Sequence, residues 1–283
     1  MGFIPLVEIA EKAAEGGYAV PAFCAWNAEA MKAILDEAQG MGSPVILMNG
    51  PGEFPLLAPS ELGAIAHGLI DRYTIPAALH LDHGDSMEMV NQCVEAGYTS
   101  VMLDFSTEPF EDNVAGLRKV VEMARPLNIT VEGELGMIGK NDESSNEGSE
   151  TSSFTDPMEA EEYVERTGVN LLAVSIGNAH GFYKDIPHLD FELLEEIQKR
   201  VKAPLVLHGG TGLTEEDIRR GISLGIAKVN VASELFHGIE TKLLEQWESG
   251  RKPLLPKALT EAMAVARQSV RKWIGITGAA GKA

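Results

Sequence analysis

The chain has 283 residues, a formal net charge of -19 at pH 7, and 45% hydrophobic and 23% charged residues. This length suits one large α/β barrel or two ordinary domains, and the composition is that of a folded globular protein. The basic residues are scattered along the chain. Together with the strong negative charge, this argues against nucleic acid or an anionic membrane as a partner.

Two features of the chain bear on its location. Cys24 and Cys93 are the only cysteines and lie far apart, which indicates neither a disulfide framework nor a thiolate zinc site. The N-terminal residues carry no basic region followed by an apolar run, and no segment reaches the roughly 18 consecutive apolar residues of a membrane span. We therefore expect a cytoplasmic protein that does not cross a membrane.

Predicted strands and helices alternate along the chain. Short apolar β-rich runs predict eight strands, at Ala19–Phe23, Pro44–Met48, Pro76–Leu81, Ser100–Asp104, Ile129–Glu134, Leu171–Ile176, Pro204–Leu207 and Lys228–Val231. A periodicity of about 3.6 residues predicts helices between them, at Ala28–Gln39, Ser86–Ala96, Asn113–Leu127, Asp156–Thr167, Asp190–Val201 and Glu215–Leu224.

This alternation, with nearly continuous apolar strands, predicts a single-domain TIM (β/α)8 barrel over residues 1–283. An open doubly wound sheet is the alternative fold. It lacks support because Gly210-Thr211-Gly212 has no third glycine and comes late in the chain for a dinucleotide-binding fingerprint.

The connection at residues 136–155 is long, acidic, rich in serine and glycine, and without periodicity. We predict that it is mobile. It is either a solvated surface loop or an active-site lid, and its position after the fifth strand favours the lid.

Three histidines terminate predicted strands, and each is followed by glycine. His83, His180 and His208 end the third, sixth and seventh strands, at the end of a TIM barrel that carries catalytic groups. A lone histidine there is more often a capping or core residue, but three on one rim match a catalytic zinc site with a position open for substrate. The sequence therefore predicts one divalent cation, zinc, on these imidazoles.

Two carboxylates of the fifth strand, Glu132 and Glu134, are two residues apart and should both face the barrel interior. Buried carboxylates need a cation, which either Lys228 on the eighth strand or the metal can supply. We predict Glu132 as a further metal ligand and Glu134 as a structural residue.

Glycine and hydroxyl residues end the last two strands, where barrels commonly bind phosphate through backbone N–H groups and a helix N-terminus. Either run alone would be read as an ordinary loop. Their pairing predicts a phosphate site made by Gly209, Gly210, Thr211, Asn230, Val231, Ala232 and Ser233.

These residues and their flanking motifs resemble the class II, zinc-dependent ketose-bisphosphate aldolases of the fructose- and tagatose-bisphosphate type. The resemblance covers nearly the whole chain and rests on motifs such as Trp26-Asn27-Ala28-Glu29, Leu81-Asp82-His83, Val131-Glu132-Gly133-Glu134-Leu135-Gly136, Ile176-Gly177-Asn178-Ala179-His180-Gly181, Leu207-His208-Gly209 and Lys228-Val229-Asn230-Val231.

The resemblance implies reversible cleavage of a ketose (bis)phosphate to dihydroxyacetone phosphate and an aldehyde, through an enediolate stabilised by zinc. Asp82 would be the proton donor to the aldehyde oxygen. The residues implied as ligands of dihydroxyacetone phosphate are Asn27, Gly181, Gly209, Thr211, Asn230 and Ser233. A homodimer or homotetramer is also implied, and a monovalent cation near the phosphate is left open.

The base of the family is a glutamate on the loop after the fifth strand, in the pattern Gly-Gly-x-Glu-Asp. The aligned segment here is Gly139-Lys140-Asn141-Asp142-Glu143. The resemblance therefore implies Asp142, one methylene shorter, or its neighbour Glu143 as the catalytic base.

Residues facing the aldehyde also depart from the family. Phe105 replaces a glycine that is common in the family, and Asn49 stands near the usual serine for the distal phosphate. These changes suggest an aldehyde other than glyceraldehyde 3-phosphate, with Arg267 and Arg271 as candidate sources of positive charge.

Three other functions are open on the same barrel. The first is a metal-independent aldolase that uses Lys184 or Lys228 as a Schiff-base nucleophile. The second is a metal-dependent sugar-phosphate isomerase, which would release no three-carbon product. The third, a catalytically inactive binding protein, is disfavoured by the three histidines and Asp82.

Overall fold

The structure is a computed structural model that describes residues 2–141, 148, 151–183 and 187–283. The predicted bases Asp142 and Glu143, and the alternative nucleophile Lys184, lie outside the described residues. Within the predicted lid at residues 136–155, residues 142–147, 149 and 150 likewise lie outside them, so the mobility of the lid stays a prediction.

Within the described ranges the chain forms ten strands. They are β1 (Val20–Cys24), β2 (Val45–Asn49), β3 (Ala77–Gly84), β4 (Ser100–Leu103), β5 (Thr130–Leu135), β6 (Gly139–Lys140), β7 (Leu171–Val174), β8 (Ala179–His180), β9 (Leu205–Leu207) and β10 (Ile226–Val231). All except β6 and β8 form a closed parallel barrel, in the order β1, β2, β3, β4, β5, β7, β9, β10 and back to β1. The predicted TIM barrel is confirmed.

The helices of the described residues surround this barrel. They are α1 (Leu6–Gly16), α2 (Ala28–Met41), α3 (Pro59–Ile70), α4 (Met87–Glu95), α5 (Phe110–Ala124), α6 (Pro157–Thr167), α7 (Phe191–Arg200), α8 (Glu215–Ser223), α9 (Ser233–Glu248) and α10 (Leu255–Ile276). No helix in the described part of the chain combines the length and apolarity that crossing a membrane requires.

Local sequence explains where the helices begin. The side chains of Asn27, Ser86, Asp156, Asp190 and Thr214 each accept a hydrogen bond from a backbone N–H in the first turn of the helix that follows. Such a cap satisfies a donor that the helix itself leaves unpaired, and its removal costs about 1 kcal/mol. The caps therefore end each connecting loop at a defined residue.

The barrel strands are buried along their whole length, which is why their sequences are apolar runs without alternation. At the amino end of the barrel, α1 packs against β3 and β10 through its buried Leu6 and Ile9. At the opposite end, the polar residues that terminate the strands share one rim. That rim holds the candidate site.

Candidate active site

His83, His180 and His208 converge on the carboxyl rim of the barrel. All three are buried, and one ring nitrogen from each lies within 4.8 Å of the others. The ring centroids of His83 and His208 are 4.6 Å apart, and those of His83 and His180 are 4.9 Å apart. Three imidazoles are a donor set typical of catalytic zinc, so the residues fit the predicted ion.

Two of these histidines depend on irregular backbone. The pairing of β3 with β4 shifts register between Leu81 and Gly84, and His83 has a φ of 46°, in the left-handed region. Bulges and such strained φ values re-aim side chains at functional sites. His180 does not end a barrel strand as predicted, because β7 stops at Val174 and His180 lies on the short strand β8.

Gly209 allows the segments that carry His180 and His208 to approach each other. It has a φ of 66°, and a Cβ atom at this position would lie 2.1 Å from the carbonyl oxygen of Ala179. A side chain would therefore collide with backbone. This steric exclusion explains why a glycine follows His208.

Carboxylates orient two of the imidazoles. His83 Nδ1 lies 2.7 Å from Asp104 Oδ2, and His208 Nε2 lies 2.9 Å from Glu132 Oε1. Such bonds hold the ring and leave the other nitrogen for a metal. No role was predicted for Asp104. Its place directly after an apolar strand is the feature of the sequence that points to this role.

Two carboxylates favour the doubly protonated, cationic form of the His208 imidazole. Burial disfavours the charged form, but hydrogen bonds to Glu132 and Glu134 outweigh burial and raise the pKa of His208 to about 9. Its Nδ1 atom lies 3.3 Å from Glu134 Oε2. A zinc ion at this site would therefore have to displace a proton from His208.

Glu132 takes part in a buried ion network below the histidines. Its two oxygens accept hydrogen bonds of 2.9 and 2.8 Å from Lys228 Nζ, and both side chains are fully buried. Burial opposes ionisation, yet Lys228 and the neighbouring histidines lower the pKa of Glu132 to about 2. The carboxylate contacts Lys228 and His208 and groups with His80 and Asp82, so the role of Glu132 as a metal ligand stays a prediction.

Glu134, which was predicted to be a structural residue, lies close to the histidines of the site. One of its oxygens groups with His83 and Asp104 within 4.8 Å. Burial, together with the charge of Asp104, raises the pKa of Glu134. Both carboxylates of β5 therefore contact histidines of the site.

Asp82 is buried beside this network. Asn230 Nδ2 donates to both of its oxygens, at 2.9 and 3.1 Å, and His80 Nε2 lies 3.6 Å from Oδ1. Burial opposes ionisation, but the nearby imidazole of His80 and the charges of His83 and Lys228 keep the pKa of Asp82 well below its usual value. The structure thus brings the predicted proton donor against a predicted substrate ligand.

A cavity next to His180 contains most of the predicted phosphate-binding residues. Its lining is Met48, His180, Gly181, Gly209, Thr211, Asn230, Ala232 and Ser233. Helix α9 begins at Ser233, and Thr211 Oγ1 accepts a hydrogen bond from the backbone N–H of Glu234. A helix N-terminus beside glycines is a suitable environment for an anion.

Three predicted substrate residues lie outside this lining. Asn27 caps α2 through its side chain, and Val231 is buried at the end of β10. Gly210 donates its backbone N–H to the carbonyl oxygen of Asn230. These three residues are therefore not part of the cavity lining.

The residues expected to face the aldehyde have other contacts. Phe105 packs on Gly116 of α5, where its ring would be 2.6 Å from an added Cβ atom. The Asn49 amide donates to the carbonyl oxygen of Ala25 and accepts a 2.9 Å hydrogen bond from the Tyr98 hydroxyl.

The two arginines proposed as sources of charge for the aldehyde lie on the outer layer of the barrel. Arg267 pairs with Asp36 and Glu37 of α2, and Arg271 pairs with Glu37 at 2.7 Å. Both guanidinium groups therefore stabilise the contact between α10 and α2.

Comparisons with known proteins identify the family. The family model described as fructose-bisphosphate aldolase class-II matches residues 4–282. The YdjI aldolase from Escherichia coli K12 is 33% identical, with a TM-score of 0.89 over 99% of each chain. The fructose-bisphosphate aldolase from Campylobacter jejuni is 24% identical, with a TM-score of 0.82 over 100% of this chain and 97% of the other, and supports the fold alone. The chain therefore belongs to the class II fructose-bisphosphate aldolase family of aldehyde-lyases, which cleave ketose bisphosphates.

Proposed function

We propose that this aldolase binds one zinc ion on His83, His180 and His208 and releases dihydroxyacetone phosphate and an aldehyde from a ketose phosphate. The observation that carries the proposal is the convergence of three buried imidazoles within 4.8 Å, beside the buried carboxylate of Asp82. When bound, zinc supplies a Lewis acid that polarises the ketone oxygen.

The phosphate of dihydroxyacetone phosphate is proposed to bind at the cavity lined by Gly181, Gly209, Thr211 and Ser233. Backbone N–H groups at the start of α9 and the small residues of the loops supply donors without a charged side chain. Because these donors act locally, they would attract an anionic substrate even though the protein as a whole carries a negative charge.

Asp82, whose low pKa keeps it ionised, is proposed to accept the proton of the substrate hydroxyl during cleavage and to return that proton to the aldehyde oxygen during condensation. Asn230 Nδ2 contacts both Asp82 oxygens and so orients the carboxylate toward the rim. The base that acts on the carbon-bound proton is proposed to be Asp142 or Glu143, as the family pattern implies.

The Schiff-base alternative is weakened for Lys228. Its ammonium is fully buried and bound to both oxygens of Glu132, whereas a nucleophilic lysine has to be neutral and reachable by substrate. Reduction with borohydride in the presence of dihydroxyacetone phosphate tests the remaining candidate, Lys184, because it would trap any imine as a mass increase.

The zinc site is tested with His180→Ala, with His237→Ala as a matched control on an exposed face of α9. Zinc content is measured by mass spectrometry, and aldol cleavage by coupled reduction of the triose phosphate. We expect the His180 variant to lose both zinc and activity and the control to retain both. Stoichiometric zinc in His180→Ala would contradict the ligand assignment.

The cytoplasmic location, the homodimer or homotetramer and the monovalent cation stay proposals. Analytical ultracentrifugation measures the oligomeric state directly. A comparison of activity in potassium, sodium and tetramethylammonium salts tests the monovalent cation.

A further inference from the structure

Half-buried or buried basic side chains are few in this protein. Among the lysines and arginines that the structure describes, only Lys140, Lys228, Lys242 and Arg267 are not exposed. Lys228 pairs with Glu132, Lys242 with Glu245, and Arg267 with Asp36. Lys140 makes no ion pair with any residue that the structure describes.

The backbone places Lys140 beside a histidine of the site. In the two-stranded parallel ladder of β6 and β8, Gly139 pairs with Ala179 and Lys140 pairs with His180. The backbone N–H of Asn141 donates to the carbonyl oxygen of His180 at 2.9 Å. Backbone pairing therefore holds Lys140 next to His180.

The side chains of paired residues in this ladder lie on the same face. A Cβ atom on Gly139 would lie 4.0 Å from the Cβ atom of Ala179. Because successive residues of a strand point to opposite faces, Lys140 and His180 share the other face. His180 contributes its ring on that face to the three-histidine group, so Lys140 projects toward the mouth of the active site.

The site around the three histidines is strongly acidic. Asp82, Asp104 and Glu134 surround the histidines, and they would repel a negative charge brought in by the aldehyde. Lys140 is not part of the lining of the phosphate cavity. It is therefore placed to attract an anion in the other half of the substrate.

We propose that Lys140 determines specificity by binding an anionic group, a carboxylate or a phosphate, on the aldehyde half of the substrate. This inference rests on the proposed function. The aligned position in the family pattern is a glycine, so the ammonium adds a charge that the pattern itself lacks.

The test uses the zinc-loaded enzyme, dihydroxyacetone phosphate and two matched pairs of aldehydes. Glyoxylate is compared with glycolaldehyde, and glyceraldehyde 3-phosphate with glyceraldehyde, so that each pair differs by one anionic group. The kcat/KM for condensation is measured for the parent enzyme and for Lys140→Met, Lys140→Arg and the exposed control Lys119→Met.

We expect the parent enzyme to prefer the anionic member of at least one pair. Lys140→Met should lower kcat/KM for that member about tenfold or more, the effect of losing a charge-assisted hydrogen bond, and change the neutral member less than about twofold. Lys140→Arg should restore most of the preference, and Lys119→Met should behave like the parent. The pair that responds identifies the anion as carboxylate or phosphate.

Equal losses on neutral and anionic aldehydes, an unchanged preference in Lys140→Met, or no preference in the parent enzyme would each overturn the role of Lys140. A higher KM for dihydroxyacetone phosphate with every aldehyde would assign the ammonium to the other half of the substrate and also overturn it. If the zinc-loaded parent condensed none of the four aldehydes, the proposed function itself would fail, and the proposal with it.

Discussion

The buried pair of Lys228 and Glu132 offers the sharpest test of the site's electrostatics. Lys228→Met removes the ammonium and keeps most of the aliphatic volume, while Glu132 stays buried without its two hydrogen bonds of 2.8 and 2.9 Å. Removing one partner of a buried ion pair costs about 3–5 kcal/mol, because the remaining charge is unpaired. At about 2–4 °C per kcal/mol for a chain of this size, the melting temperature should fall by about 6–20 °C.

The free energy of unfolding is measured in urea after removal of metal with EDTA, so that loss of a ligand does not enter the comparison. Lys242→Met removes a solvent-accessible pair with Glu245, which measures 3.2 Å, and should cost less than about 1 kcal/mol. The double variant Lys228→Met/Glu132→Gln should be less destabilised than the sum of the single changes by about 1–3 kcal/mol.

A cost for Lys228→Met no larger than for Lys242→Met would refute this reasoning. So would strict additivity in the double variant, because it would mean that Glu132 and Lys228 do not stabilise each other. Either result would also reopen Lys228 as a neutral nucleophile.

Three further predictions follow from contacts around the barrel. Asp82→Ala should retain zinc by mass spectrometry and lose most turnover, and normal cleavage would exclude Asp82 as the proton donor. Gly209→Ala should lower affinity for dihydroxyacetone phosphate about tenfold or more, because its Cβ would collide with backbone, whereas Gly250→Ala, at a φ of 74° but in open space, should change only stability; equal affinities in the two variants would contradict this. For Asp36, burial opposes ionisation, but hydrogen bonds from Lys32, Arg267 and Tyr73 lower its pKa from 3.8 to about 2; the stabilisation is therefore complete above about pH 4 and is lost as pH falls toward 2. The melting temperatures of the parent and Asp36→Asn should converge over that range, and a constant difference would show that the charge of Asp36 is not the cause.

The sequence was sufficient for the barrel and for the grouping of the histidines. Apolar runs such as Val45–Asn49 predict buried strands. Closure of eight parallel strands brings all of their carboxyl ends to one rim. His83 and His208 could therefore be grouped without coordinates. Their proximity follows from topology alone.

Other parts of the site depend on which side chains meet across the barrel, and local sequence carries little signal of this. Alternation placed Glu132 in the interior but could not choose between a metal and Lys228, which is 96 residues away in the chain. The short strand β8 was also missed, because two residues show no periodicity. β8 pairs with β6, so its formation depends on how the connection after β5 folds.

The ladder of β6 and β8 makes His180 different from the other two histidines. His83 ends a barrel strand and His208 directly follows one, whereas His180 is hydrogen-bonded to the connection that also bears Lys140. Sequence changes in that connection will therefore alter how tightly and how quickly the cation is exchanged, as well as which aldehyde is accepted. Metal retention and substrate choice are expected to change together when this segment varies among related enzymes.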